Sequence, residues 1–290
     1  MNFKSLASGA ALAVLAVAAS SPAGAVVITN GAYSVGINDY GQLLSQDDSG
    51  ANVGFRRNSD GAEVIYAGAE RDTWGVGGAY ADEQNSGSAG LLTSSLSSTA
   101  TTALSTVTTG DFSVVQAFSF VSENILAIKV SLTNISGGDL AAVFQRLADF
   151  DVDPEPDVGE TVIDPFGNTA ENTTYGFDDA STLNPWGFPL CFACSATYDA
   201  GAGLRANLGN LGAGQTTYFT YYYGLGAGSD DLAVQMQAAG AKDILVVTGS
   251  DGTLSAAMGL AVPEPSTWAM MLLGFFGLGS MLRRRQAALA

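Results

Sequence analysis

The 290-residue chain contains no histidine. That absence removes the Ser-His-Asp and Cys-His nucleophiles, the histidine zinc ligand and imidazole acid-base chemistry. Cysteine is nearly absent as well, with two residues, Cys191 and Cys194. Zinc in a closed structural site takes four ligands, so two cysteines without histidine do not make one. Basic residues are few: 11 against 28 acidic ones, a formal net charge of −17. Nucleic-acid binding needs clustered Lys and Arg against phosphate, and this balance excludes it. Charged residues are only 13% of the chain while hydrophobic ones are 47%, enough to fill a core, so wholesale disorder is excluded too.

What the chain does have is most specific at its two ends. Residues 1–25 read as a secretory signal peptide. Lys4 supplies the positive start, Ala10–Ala19 a short apolar stretch, and Ala23-Gly24-Ala25 the small residues of a cleavage site. At the other end stands Pro263-Glu264-Pro265-Ser266-Thr267-Trp268-Ala269. An apolar, glycine-interspersed stretch follows from Met270 to Leu282, and then Arg283-Arg284-Arg285. The prolines forbid a regular helix and keep their segment extended. Trp268 suits a membrane-water interface, and the arginines stay on the cytoplasmic side by the positive-inside rule. Thr267–Leu282 is short for a membrane span, which needs about 20 apolar residues.

This three-part tail resembles the PEP-CTERM sorting signal of Gram-negative bacteria, in its PEPxxWA form. Pro263, Glu264, Pro265, Trp268 and Ala269 match the motif, and the apolar stretch and Arg283–Arg285 match its other two parts. The resemblance implies an exosortase as processing partner, a membrane-embedded cysteine protease or transpeptidase. It implies transient insertion in the inner membrane and removal of the tail. Delivery to the cell envelope or extracellular matrix follows, often beside exopolysaccharide. It covers residues 263–290 and carries no information on the activity of residues 26–262.

Those 237 residues form the expected secreted domain, with 27 acidic and 7 basic residues and hence a charge of 7 − 27 = −20. Such a domain repels its own copies and stays soluble. The pattern is mainly β. Val26-Val27-Ile28-Thr29 runs into Asn30-Gly31, a strong hairpin signal, and Tyr33, Val35 and Ile37 alternate after it. The Ser/Thr-rich run from Thr93 to Thr109 fits either exposed strands or a loop. Phe112, Val114, Phe118 and Phe120 share one face of a strand, and Leu126, Ile128, Val130 and Leu132 one face of the next. A third strand, Leu140–Phe150, completes an expected antiparallel meander. One helix is expected near 230–239, capped by Ser229, carrying Asp230 and Asp231 in its first turn and stopped by Gly240. The expected fold is an antiparallel β-sandwich. Strands Phe112–Phe150 also resemble the supersandwich of carbohydrate-active proteins, a likeness of fold that carries no function. Sugar epimerases of that fold typically rely on His, which is missing.

Three constellations bear on chemistry. Asp149, Asp151, Asp153, Glu155 and Asp157 fall at every second residue, on one face of an extended chain. A calcium ion with six to eight oxygen ligands would relieve their repulsion. Pro154 stands where an EF-hand needs its sharp-turn glycine, so an EF-hand is excluded. The alternative is a solvated acidic loop partly neutralised by Arg146 or Arg205. Cys191-Phe-Ala-Cys194, in a turn-rich stretch of an exported chain, reads as a small disulfide. Trp74, Trp186, Tyr80 and Tyr221–Tyr223 are either sugar-stacking faces or core. No spacing singles out two carboxylates as acid and base of a glycosidase. The expectation is therefore a non-catalytic envelope or matrix protein, with a carbohydrate-active enzyme and a calcium-dependent adhesion module as alternatives.

Overall fold

A computed structural model of the chain describes residues 24–65, 71–83, 87–152, 159–167, 170–188, 195–198 and 200–262. The N-terminal half contributes β1 (Val26–Thr29), β2 (Tyr33–Ile37), β3 (Ser45–Gln46), β4 (Asn52–Val53), β5 (Phe55–Arg57), β6 (Asp72–Val76) and β7 (Ala79–Ala81). The long strands follow: β8 (Leu91–Ser98), β9 (Thr102–Thr109), β10 (Phe112–Phe120), β11 (Ile125–Asn134) and β12 (Leu140–Asp149). Then come β13 (Glu160–Ile163), β14 (Glu171–Thr173), β15 (Ser195–Tyr198), β16 (Gly201–Leu211) and β17 (Thr216–Gly226). Helix α1 (Ser229–Ala239), β18 (Asp243–Thr248) and β19 (Ser255–Ala261) complete the described chain.

Local signals build the hairpins. The side chain of Asn30 accepts from the N–H groups of Ala32 (3.1 Å) and Tyr33 (2.9 Å), closing the turn that pairs Val26–Thr29 with Ser34–Ile37. The Ser/Thr run forms strands β8 and β9, not a loop. In β10 and β11 the expected faces hold: Phe112, Val114 and Phe118 are buried, as are Leu126, Ile128, Val130 and Leu132. All strand pairs are antiparallel.

The meander is corrected at its third strand. β11 has β10 on one side and β17 on the other, in a nine-stranded sheet ordered β15-β13-β18-β19-β17-β11-β10-β9-β8. β12 leaves this sheet and lies between β16 and β6 in a five-stranded one, β14-β16-β12-β6-β7. The crossing follows from burial. Both faces of β12 are buried from Phe144 onward, and a strand buried on both sides belongs in the middle of a covered sheet. The two sheets meet face to face on aromatic rings. Phe144 stacks on Trp74 at 5.5 Å, and its centroid lies 5.1 Å from Phe219 and 5.9 Å from Tyr221; Phe150 meets Tyr223 at 6.0 Å. Each such fully buried ring contributes about 1.5–3 kcal/mol over its exposed state.

Helix α1 packs on the outer face of the large sheet, over β17, β18 and β19. Leu232, Ala233 and Met236 pack on Ile125, Ile244, Val246 and Ala257. Its span agrees with the sequence reading, but its cap does not. Gly228 occupies the N-cap with no side-chain bond, and Ser229 is already helical. Gly240 ends the helix at φ 114°, a left-handed conformation that glycine adopts without strain. The last strand, β19, lies inside the large sheet between β17 and β18 and ends at Ala261, paired with Thr220.

Candidate functional site

Among the described residues, a dense group of charged and polar side chains sits between the two sheets. Strand parity puts Phe144, Arg146 and Ala148 on the inner face of β12, so a guanidinium enters an aromatic layer. Arg146 Nε donates to the Tyr223 hydroxyl at 3.0 Å and to Asp72 Oδ1 at 3.2 Å. Its Nη1 donates to Gln116 Oε1 at 2.7 Å, and its Nη2 to the Gly41 carbonyl at 2.9 Å and to Asp72 Oδ2. Asp72 also accepts from the Tyr223 hydroxyl (2.6 Å) and the Leu43 N–H (2.6 Å). Gln116 passes the network on, its Nε2 donating to the Tyr40 carbonyl at 3.2 Å, where Trp74 Nε1 also donates at 2.8 Å.

Arg146, Asp72, Gln116 and Tyr223 are all 0% exposed. Burial pushes the Asp72 carboxyl up from its ordinary value, and the Arg146 charge opposes it. Burial and then the Asp72 charge push the Tyr223 hydroxyl up. The cluster ties β6 and β12 of one sheet to β10 and β17 of the other, and holds the 40–43 turn across the gap.

A second buried pair organises a surface strap. Arg71 meets Asp82 bidentately (2.9 and 2.8 Å), and its Nη1 donates to the carbonyls of Gly176 (2.6 Å) and Asp178 (2.9 Å). The Asp178 carboxylate accepts from the Thr173 hydroxyl (2.8 Å) and the Gly187 N–H (2.9 Å). The Asp179 carbonyl accepts from Gln145 Nε2 and Trp186 Nε1. Arg205 lies 4.7 Å over the Trp186 ring and pairs with Glu171 at 2.8 Å. Residues 174–188 are thus strapped over the outer face of the five-stranded sheet, leaving Leu183 and Phe188 exposed.

The strap approaches β6 so closely that a Cβ at Gly75 would stand 2.1 Å from the Ala180 carbonyl oxygen. Backbone cannot step aside as a side chain can. Gly75→Ala is expected to cost about 1–3 kcal/mol by overpacking and to lift the strap. Limited proteolysis with mass mapping should find new cuts between 179 and 188; an unchanged digestion pattern would contradict the close fit.

The residues expected to carry function from sequence are placed unevenly. Pro263, Glu264, Pro265, Trp268, Ala269 and Arg283–Arg285 lie outside the described residues, as do Cys191 and Cys194. Of the five carboxylates assigned to calcium, Asp149 is buried and Asp151 half-buried; Asp153, Glu155 and Asp157 lie outside the described residues. Glu160, the next carboxylate along the chain, accepts from the Val152 and Ala200 N–H groups. Among the described residues no three carboxylates or thiols converge as a metal site. Arg146 is paired with Asp72 and Arg205 with Glu171. Trp74, Tyr221 and Tyr223 are core, Tyr80 and Tyr222 are half-buried, and Trp186 is stacked under Arg205. Gln116 carried the missed signal: it stands among Phe112, Val114 and Phe118 on an apolar face, and a polar residue there needs a buried partner.

Comparison with known proteins adds two findings. Residues 261–285 match the family profile described as the PEP-CTERM protein-sorting motif. The chain carries that motif, and it implies export and processing by an exosortase. No curated protein matches the chain. Among solved structures, one similar chain is a galactose mutarotase-like protein from Lactobacillus casei ATCC 334. It is 9% identical, with 83% of this chain and 89% of that one covered, at a TM-score of 0.37. Another is a candidate aldose 1-epimerase from Escherichia coli K12, 11% identical, covering 81% and 87%, at a TM-score of 0.33.

Proposed function

We propose that this chain is a non-catalytic envelope or extracellular-matrix protein, delivered by removal of its C-terminal tail and associated there with exopolysaccharide. The observation that carries the reading is the abutment of the sorting motif on the folded domain. β19 ends at Ala261, Val262 still packs on the core, and Pro263 follows at once. The domain is presented to the membrane as cargo, with no separate module between it and the signal.

Two features support a non-catalytic domain. The chain has no imidazole, and its strongest ionisable cluster, Arg146–Asp72–Tyr223, is sealed between the sheets. A general acid or base must reach a substrate proton within hydrogen-bond distance, and these groups are bonded to one another, to Gln116 and to the backbone of Gly41 and Leu43. The bridge between Cys191 and Cys194 belongs to the same reading, because an exported chain meets an oxidising compartment.

Intact-mass measurement on protein recovered from the surface of its native host tests the proposal. The expected mature chain begins at Val26 and lacks Arg283–Arg285. Its mass should also be lower by two hydrogens than after reduction, from the Cys191–Cys194 bridge. A surface form that retains the arginine cluster would sink the sorting part of the reading, and turnover of a glycoside by the purified chain would sink the non-catalytic part.

A further inference from the structure

The nine-stranded sheet ends in β8; just before that strand Ala89 is bridged to Tyr80 of β7, and from Thr93 to Ser98 the edge is unpaired among the described residues. The Thr99 N–H donates to the Thr102 carbonyl at 2.8 Å, so this pair is a hydrogen-bonded one at the end of the β8–β9 hairpin. Antiparallel pairs alternate, and the register of 96 with 105 and 94 with 107 then turns the backbone N–H and C=O of Ser94, Leu96 and Ser98 away from β9. Among the described residues no strand pairs with β8 on that side.

Natural edges are usually blunted by lysine, proline or a bulge that turns the edge away. This edge has a register shift only at its start, between Leu91 and Thr93. Residues 87–110 contain no charged side chain and no proline, within a chain of net charge −17. Leu92, near the start of the strand, is 68% exposed. Acidic surfaces of two copies repel one another, and this uncharged edge is where they approach without that penalty. The strand is also self-complementary. A two-fold axis at Leu96 sets Leu96 against Leu96 of the second copy on the inner face. It sets Ser95 against Ser97 on the outer face, twice over, the two Ser95–Ser97 pairs being exchanged by the symmetry.

We propose that β8 pairs antiparallel with β8 of a second copy, centred on Leu96, joining two nine-stranded sheets into one continuous sheet. The outward N–H and C=O groups of Ser94, Leu96 and Ser98 are then satisfied, and the hydroxyl-rich outer rows of β8 and β9 run on from copy to copy.

The test uses the full-length chain in detergent, sized by light scattering with the detergent contribution subtracted. The wild-type chain should run as a dimer. Ser94→Pro deletes an N–H that β9 does not use, and Ser94→Lys places a charge on the edge. Both should be monomeric while far-UV circular dichroism and cooperative melting show the fold retained. Ser95 and Ser97 of opposite copies form a close pair in this register, with Cα atoms about 4.5 Å apart. The double variant Ser95→Cys with Ser97→Cys should therefore cross-link to a covalent dimer on oxidation. A monomeric wild-type chain overturns the proposal. So does a dimer that survives both Ser94 substitutions, and so does a double-cysteine chain that fails to cross-link.

Discussion

Replacing Arg146 by methionine is expected to lower the stability of the folded chain by about 3–5 kcal/mol, the cost of stranding one member of a buried ion pair. Methionine is close to the length of the arginine stem, so the packing against Tyr223 and Phe144 is largely kept. What is lost is the set of donors. Asp72 keeps the Tyr223 hydroxyl and the Leu43 N–H but no counter-charge, at 0% exposure. Gln116 Oε1 and the Gly41 carbonyl lose the donors that Arg146 supplied. Each stranded acceptor costs about 1–3 kcal/mol. The double variant Arg146→Met with Asp72→Leu should recover only the part of the loss that comes from the unpaired Asp72 charge, because the Gln116, Gly41, Leu43 and Tyr223 groups that the pair had satisfied stay without partners. Urea unfolding of the single and double variants reads both effects through the midpoint at constant slope. A single-variant loss below about 1 kcal/mol, the scale of an exposed pair, would show that the cluster is not dry.

Replacing Pro263, Glu264 and Pro265 together by alanine is expected to abolish tail removal in the native host. The precursor should then accumulate in the membrane fraction with Arg283–Arg285 intact. The effect has two parts. Recognition is lost, because the motif that marks exosortase substrates is erased. The other part is structural. β17 runs from Thr216 to Gly226, but β19 pairs with it only from Thr220 onward. In register, residues after Ala261 would continue along Thr216–Phe219. Proline has no N–H to give that ladder, so Pro263 cannot continue β19 by donating to it. Alanines supply the missing donors and let the strand extend, drawing the cleavage region onto the sheet. Fractionation with intact-mass analysis measures the outcome. A triple variant cleaved and released like the wild type would contradict both parts.

Much of the β pattern could be read from alternation alone. The inner rows of β10 and β11 were visible because Phe112, Val114, Phe118 and Leu126, Ile128, Val130, Leu132 repeat with period two. Asn30-Gly31 marked its hairpin because glycine and asparagine favour the turn wherever it occurs, and Gly240 marked the helix end for the same reason. Such signals are local, and they survive in any tertiary setting. The sorting tail was legible for a different reason: it is read by another protein as a linear segment, so its meaning lies in the order of residues.

The site was not legible in that way. Arg146 and Asp72 are 74 positions apart, and Asp72 and Tyr223 are 151 apart. Parity shows that Arg146 shares a face with Phe144, but not which strand lies opposite. The sequence also favoured a meander, since a five-residue connection joins β11 to β12. Tertiary structure decided otherwise, because β17 holds the place beside β11 and the doubly buried β12 needs a covered position. Moving β12 into the second sheet is what brings a guanidinium, a carboxylate, a phenol and an amide together in the dry layer. By itself the sequence determined the alternating strands β10 and β11, the Asn30-Gly31 turn, the helix end at Gly240 and the sorting tail, since each depends on neighbours in the chain. Which charges are buried together depended on how two sheets stack, a matter of contacts far apart in sequence that only the folded chain could choose.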